Sequence, residues 1–309
     1  ACLIVLWTPY QALGADLKHV KFAYIQVIDL LPYFIADSKG YFKQEGLNVE
    51  PIVLTGGPAV ISAVESGSAD VGFAGGVPLM NSRLHGLSLK FFSGLLFEQP
   101  PDIYPVVFIG REKSGVKDAK DLSGKVVAFN TFGGQCELIA RVGLAKAGLL
   151  YDSVKITTLP FPQMRAALAI GNIDAACVGD PFLADMQKAN VGSIVMAGMV
   201  RTPTAKQEYF NSGIFASDRW LKANEDTAIR FKRALGRGIE DLESDPAAAR
   251  QLLTKYMKFS PELASEIKLG GFMTDFPISS LQSVIDSAFE TGMIPHKMDA
   301  REMIGLTLR

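Results

Sequence analysis

From residue 20 onward, short β-branched runs alternate with longer stretches of helical period. Val20 to Ile25 predicts a strand. Pro32 to Gly46 predicts a helix with apolar positions at Tyr33, Phe34, Ala36, Tyr41 and Phe42 and a glycine stop. Val49 to Leu54 predicts the next strand, and Gly56-Gly57-Pro58 opens a helix whose Val60, Ile61 and Val64 share one face. Ala69 to Ala74 reads as a buried strand, Gly75-Gly76-Val77-Pro78 starts another helix, and Leu89 to Ser93 reads as a strand. After Pro100-Pro101 the pattern resets. Tyr104 to Gly110 is an apolar run, Lys125 to Phe129 a strand, and Asn130 to Gly134 its exit loop. A helix over 135–147, a strand at Val154 to Thr158, a helix over 162–170 and a strand at Ile173 to Val178 follow, and Gly179-Asp180-Pro181 opens one more helix. Beyond Asn211 to Phe215 the chain turns helical, over 218–242, 245–256 and 279–291.

This alternation, with short Gly-rich joints, predicts an α/β protein with mixed, mostly parallel sheets covered on both faces. Two comparable α/β units with no Ser/Gly linker between them predict two lobes joined by crossing strands. The expected division is 16–108 and 213–309 for lobe 1 and 109–212 for lobe 2. Hinges are expected near 106–110 and 211–215.

The N-terminal 1–15 segment has its own pattern. An apolar run from Cys2 to Trp7 precedes Ala12-Leu-Gly14, with small residues at alternate positions before Asp16. It reads as the remnant of a secretory signal peptide. A lipoprotein signal at Cys2 and an ordinary strand or tag remnant are the other readings. No other apolar stretch reaches the ~18 residues of a membrane span.

Composition narrows the classes. The chain has 309 residues, 48% hydrophobic and 20% charged, enough for sizeable cores and against disorder. With 31 basic and 32 acidic residues it offers no electrostatic footprint for nucleic acid and no polybasic run for a membrane surface. Cys136 and Cys177 read as two buried thiols, with a disulfide open if the fold brings them together. Cys/His spacing for zinc is absent, and no metal or cofactor is expected.

Candidate chemistry concentrates at the glycine joints, 56–58, 75–78 and 133–134. Each presents backbone N–H groups at a helix start and suits a hydrogen-bond-accepting ligand. One such terminus contributes about 0.3–1 kcal/mol, whereas a micromolar ligand needs ~8 kcal/mol, so several must converge. Singly, each joint is an ordinary βα turn. Their repetition at the same end of successive strands points to a ligand cleft. His19, His85 and His296 are scattered and read as lying away from the joints, and no nucleophile elbow or metalloprotease motif occurs. Asp180 reads as a helix cap or a general base, Asp29 as a solvated turn or a ligand contact. Tyr33, Phe132, Phe161 and Phe182 read as packing or as ligand-stacking rings.

Several runs together carry a resemblance. Leu31-Pro-Tyr-Phe-Ile-Ala-Asp-Ser-Lys-Gly-Tyr-Phe-Lys-Gln-Glu-Gly-Leu-Asn-Val-Glu50, Gly67 to Pro78, and Ala166 to Ala175 followed by Asp180-Pro181-Phe182 resemble the nitrate/sulfonate/taurine and thiamine-precursor (NMT1/THI5-like) family of ABC substrate-binding proteins. The likeness covers residues 20–220 in order. It implies a type II periplasmic-binding-protein fold with a ligand in the cleft, and contacts at Asp29, Leu31, Gly57, Gly76, Asn130, Phe132, Gly134, Phe161 and Asp180. It also implies a periplasmic or extracytoplasmic location, lipid-anchored if Cys2 is a lipoprotein signal. The expected partners are an ABC permease and ATPase, and the receptor is expected to be a monomer without catalysis.

There are departures. Gly133-Gly134-Gln135 stands where sulfonate-type members place a hydroxyl residue, and no Lys or Arg lies in the contact loops, which argues against a bare inorganic anion. A small organic sulfonate or carboxylate, with an aromatic body allowed, is the expected ligand class. A pyrimidine or other heteroaromatic precursor and a catalytic member of the same fold are the alternatives. The Cys/His-rich site of the pyrimidine synthases is not seen.

Overall fold

A computed structural model describes residues 17–204, 207–275 and 277–305. The 1–15 segment read as a signal remnant lies outside the described residues. The first unit runs β1 (Lys18–Tyr24), a 3-10 turn at Ile28–Leu30, α1 (Leu31–Ser38), α2 (Tyr41–Gln44), β2 (Leu47–Val53), α3 (Gly57–Glu65), β3 (Val71–Gly75), α4 (Gly76–Leu84) and β4 (Leu89–Glu98). The single helix expected from Pro32 to Gly46 is therefore two. Gly40 breaks it at φ 71°, a left-handed conformation that glycine adopts without a Cβ clash.

The second unit runs β5 (Val106–Arg111), β6 (Val126–Phe129), α5 (Gln135–Lys146), β7 (Lys155–Thr158), α6 (Phe161–Ile170), β8 (Ala175–Gly179), α7 (Phe182–Lys188) and β9 (Gly192–Ala197). The chain then returns through β10 (Tyr209–Ser217), α8 (Asp218–Ala223), α9 (Glu225–Ser244), α10 (Pro246–Met257), α11 (Pro261–Glu266) and α12 (Ile278–Glu290). The helix expected over 218–242 is split at Asn224, which caps α9 out of helical geometry.

Two five-stranded sheets result, in the orders β2-β1-β3-β10-β4 and β7-β6-β8-β5-β9. In each, three strands run parallel as βα units, and the strand contributed across the lobe boundary enters antiparallel: β10 beside β3 and β4, β5 beside β8 and β9. The expected lobe boundaries fall inside these two strands. Each strand is hydrogen-bonded throughout to one sheet; the chain leaves the first sheet after Glu98 for Val106, and leaves the second after Ala197 to re-enter the first at Tyr209.

The lobe 1 core is dense in rings. Tyr33, expected as a ligand-stacking candidate, packs against Phe22, Tyr24, Phe34 and Phe42 at centroid distances of 4.8–5.6 Å and is 2% exposed. Returning helix α9 adds Phe231 to the cluster. In lobe 2, Cys136 and Cys177 form a disulfide rather than two free thiols. Strand β8 pairs with β6, whose exit loop leads into α5, and that order sets the Cα atoms 5.7 Å apart, within bridging range.

Candidate functional site

Between the sheets, at the C-terminal ends of the parallel strands, lies a cavity of about 470 Å³. Asp29 and Gly57 reach it from lobe 1. Asn130, Phe132, Gly134, Phe161 and Asp180 reach it from lobe 2. Two expected contacts do not. Leu31 is fully buried beneath α1 in a cluster with Ile35, Leu242 and Leu253, because the returning helices cover that face. Gly76 faces inward too: a Cβ there would sit 2.9 Å from the Phe210 ring. Its neighbour Gly75 takes the wall position, where a Cβ would meet the Gln135 amide at 2.8 Å.

A hydrogen-bond chain crosses the cleft. Gln135, first residue of α5, donates through Nε2 to Asn211 Oδ1 at 2.6 Å and to the Asn211 carbonyl at 2.9 Å. Asn211 Nδ2 donates onward to Asp29 Oδ2 at 3.1 Å, which also accepts from Ser212 Oγ at 2.6 Å. Asp29 is thus a fixed wall residue rather than a solvated turn. Burial pushes its carboxyl above the usual range, against the lowering effect of Ser212, its own backbone and Asn211. Asn81 on α4 makes a second bridge, Nδ2 to the Gly133 carbonyl at 2.6 Å.

On the opposite wall, Asp180 Oδ1 accepts from the Ala184 N–H at 3.2 Å, so the carboxylate caps the first turn of α7 while facing the cavity. Burial pushes it up to about 6, with the Ala184 bond and Lys268 acting against the rise. Phe161 and Phe182, at the starts of α6 and α7, stack at 5.4 Å and 26° and present an aromatic surface. Phe132, 57% exposed on the same wall, meets the Phe129 ring edge-on.

Gln135, Asn211, Ser212, Asn81 and His85 were missed in the sequence reading. Asn211 and Ser212 carry a legible signal, two adjacent polar residues within a mostly apolar strand. They are 2% and 1% exposed, a burial that polar side chains tolerate only when hydrogen-bonded. His85 corrects an expectation. It closes α4 on the cavity wall, with Nδ1 2.8 Å from the Asn81 carbonyl oxygen.

The convergence of helix starts is also weaker than expected. Pro58 and Pro78 stand in the first turns of α3 and α4 and supply no N–H. At α5 the Gly133 N–H is given to Glu137 Oε2 at 2.9 Å, leaving Gly134, Gln135 and Cys136 as its backbone donors. The described residues of the wall include no Lys or Arg. Among the described residues no group of three or more His, Cys, Asp or Glu is placed to hold a metal ion.

Two mixed sheets, joined by two crossovers and enclosing a cavity lined from both, define a periplasmic-binding-protein fold. The alkanesulfonate-binding protein SsuA from Xanthomonas axonopodis pv. citri, solved bound to MOPS, superimposes with a TM-score of 0.79 over 94% of this chain and 99% of that one, at 19% identity. The NMT1/THI5-like family model matches residues 28–249, and the chain belongs to that family. An Escherichia coli (strain K12) protein named for binding aliphatic sulfonates is 26% identical over 258 residues, 80% of this chain and 76% of that protein. A 4-amino-5-hydroxymethyl-2-methylpyrimidine phosphate synthase from Schizosaccharomyces pombe is 22% identical over 251 residues, 77% of this chain and 68% of the enzyme.

Proposed function

We propose that this chain is the extracytoplasmic solute-binding component of an ABC importer, holding a small organic molecule between its lobes and handing it to a membrane permease and ATPase. The observation that carries this reading is the cavity itself, walled from both lobes and crossed by the Gln135–Asn211–Asp29 chain. A ligand that touches both walls favours the closed arrangement by its extra contacts there, and that difference is the signal a permease reads. The family membership and the sulfonate-binding relatives support the receptor role. The Cys136–Cys177 disulfide supports an oxidising compartment. No helix among the described residues is long and apolar enough to cross a membrane. The receptor acts as a monomer, each chain carrying its own complete cavity.

The expected organic sulfonate or carboxylate would place its acidic end at the α5 start, on the Gly134 and Gln135 N–H groups, and its body against Phe161 and Phe182. A catalytic reading has one observation in its favour, His85 on the wall, and one relative that is a synthase. A thermal-shift screen against organic sulfonates, carboxylates and amino-heteroaromatics tests the receptor role. A binder present at 100 times its Kd adds about 2.7 kcal/mol of apparent stability. The solute recovered afterwards should be chemically unchanged by mass spectrometry, and a converted product would replace the receptor reading with the enzyme.

A further inference from the structure

The loop that leads into α5, residues 130–134, lines the cavity and is also held from behind it. Gly133 is tied at both its polar groups. Its carbonyl accepts from Asn81 Nδ2 of lobe 1 at 2.6 Å, and its N–H donates to Glu137 Oε2 at 2.9 Å. The other oxygen of that carboxylate, Glu137 Oε1, accepts from Nε and Nη2 of Arg141, one helical turn further along α5, at 3.0 and 2.9 Å. The remaining nitrogen of the guanidinium reaches out of the lobe. Arg141 Nη1 donates at 3.3 Å to the carbonyl of Thr291, the residue that closes α12 in lobe 1. The guanidinium carbon lies 3.8 Å from the centroid of the Tyr151 ring, so the fork is fixed on its face as well as at its edges. With side chains 12% and 19% exposed, Glu137 and Arg141 are largely withdrawn from solvent screening.

Each link has a physical reason. A carbonyl at the end of a helix has no helical N–H to meet, and the helix dipole favours a cation there, which suits Thr291 to Arg141. The Glu137 carboxylate lies in the same first turn of α5 as the Gly134, Gln135 and Cys136 N–H groups, and Arg141 offsets its charge. We propose that Arg141 is a positioning residue of the solute site: through Glu137 it holds the 130–134 loop, and through Thr291 it makes that hold depend on lobe 1. This rests on the receptor reading above. When the lobes part, Thr291 leaves with lobe 1, the guanidinium loses one of its anchors, and the loop loses order. A solute that needs the ordered loop therefore favours the closed arrangement by more than its own contacts with lobe 1. Charge alone does not supply this hold, because the guanidinium donates in separate directions and lies flat on a ring, which the compact ammonium of a lysine cannot reproduce.

Hydrogen–deuterium exchange, read by mass spectrometry on the protein without added solute, tests the inference. Arg141→Ala should speed exchange over 130–137 by about tenfold, the effect of losing a charge-assisted hydrogen bond. It should also speed exchange over 291–293, whose amides bond back into the last turn of α12. That second segment belongs to the other lobe, and an i,i+4 pair that only stiffened α5 would leave it unmoved. Strands β3 and β8 should exchange as in the unaltered protein, showing that both sheets are intact. Glu137→Gln cuts the link nearer the loop, so it should speed 130–137 and spare 291–293, where Arg141 still meets Thr291. Arg141→Lys should behave as the alanine variant does, and it carries the test if that variant does not fold. Unchanged exchange over 130–137, or a rise there with 291–293 unmoved, overturns the inference. So does a rise that spreads through β3 and β8, because it would mark general loosening. None of these outcomes bears on the receptor role, which fails separately if a bound solute is recovered chemically converted.

Discussion

Replacing Glu98 by glutamine isolates one buried carboxyl at the junction of the lobes. Glu98 ends β4 where the first crossover begins, and its Oε2 accepts from the N–H of Met199 in the second crossover at 3.1 Å. The side chain is 1% exposed, and Oε1 is buried without a hydrogen-bond partner. Burial pushes the carboxyl from its ordinary 4.5 up to about 7, with the Met199 bond and the Lys146 charge pulling the other way. The sign follows from proton counting. Between pH 4.5 and about 7 the folded chain keeps a proton that the unfolded chain has released, so this group's contribution to stability is fully present below 4.5 and is lost as pH rises through 7. At 1.36 kcal/mol per pH unit the loss is about 3 kcal/mol. Glu98→Gln cannot ionise and escapes it. Urea unfolding of both proteins across that pH range should therefore show a stability difference that moves in the variant's favour by about 3 kcal/mol from the acid end to the alkaline end. A pH-independent difference would refute the assignment of Glu98 as a buried carboxyl with Oε1 unpartnered, and with it this account of the crossover junction.

Two further outcomes follow from the site. Changing both Cys136 and Cys177 to Ser opens a loop of 41 residues' separation, which lowers stability by roughly 4 kcal/mol on the chain-entropy account. Because Cys136 also lines the cavity, ligand affinity should fall with it, read by thermal unfolding and titration with and without reductant. Gln135→Ala removes both donations to buried Asn211 across the cleft, so it should lower the stability of the ligand-free protein by about 1–3 kcal/mol and weaken ligand binding as well. Small-angle scattering would show a more open average shape in the variant, and unaltered affinity and shape would mean that the bridge does not hold the lobes.

Local periodicity was sufficient for the lobes and for the wall they share. Strand β3, apolar throughout and buried at every position, and the glycine joints that follow the parallel strands were legible because their cause lies within a few residues. Positions whose environment is made by distant chain were not. Leu31 and Tyr33 are core residues because α9 and α10 return from the far end of the sequence to cover α1. Gly76 faces Phe210, which arrives on β10 only after the whole second lobe has been built. The disulfide depends on β8 lying beside β6, and the Gln135–Asn211 bridge depends on the lobes meeting. The expected lobe boundaries fall inside strands for a related reason. Strands β5 and β10 have the apolar pattern of any buried strand, and only their pairing shows to which sheet each belongs.

The central claim is that a small organic molecule is captured, unaltered, between the two lobes. A crystal structure of the protein with the strongest binder from the thermal-shift screen tests it most directly. The account predicts the intact molecule within the 470 Å³ cavity, touching Asp29 from lobe 1, and Asp180 and the stacked Phe161 and Phe182 from lobe 2. A molecule seated elsewhere, or a chemically converted product in its place, would contradict it.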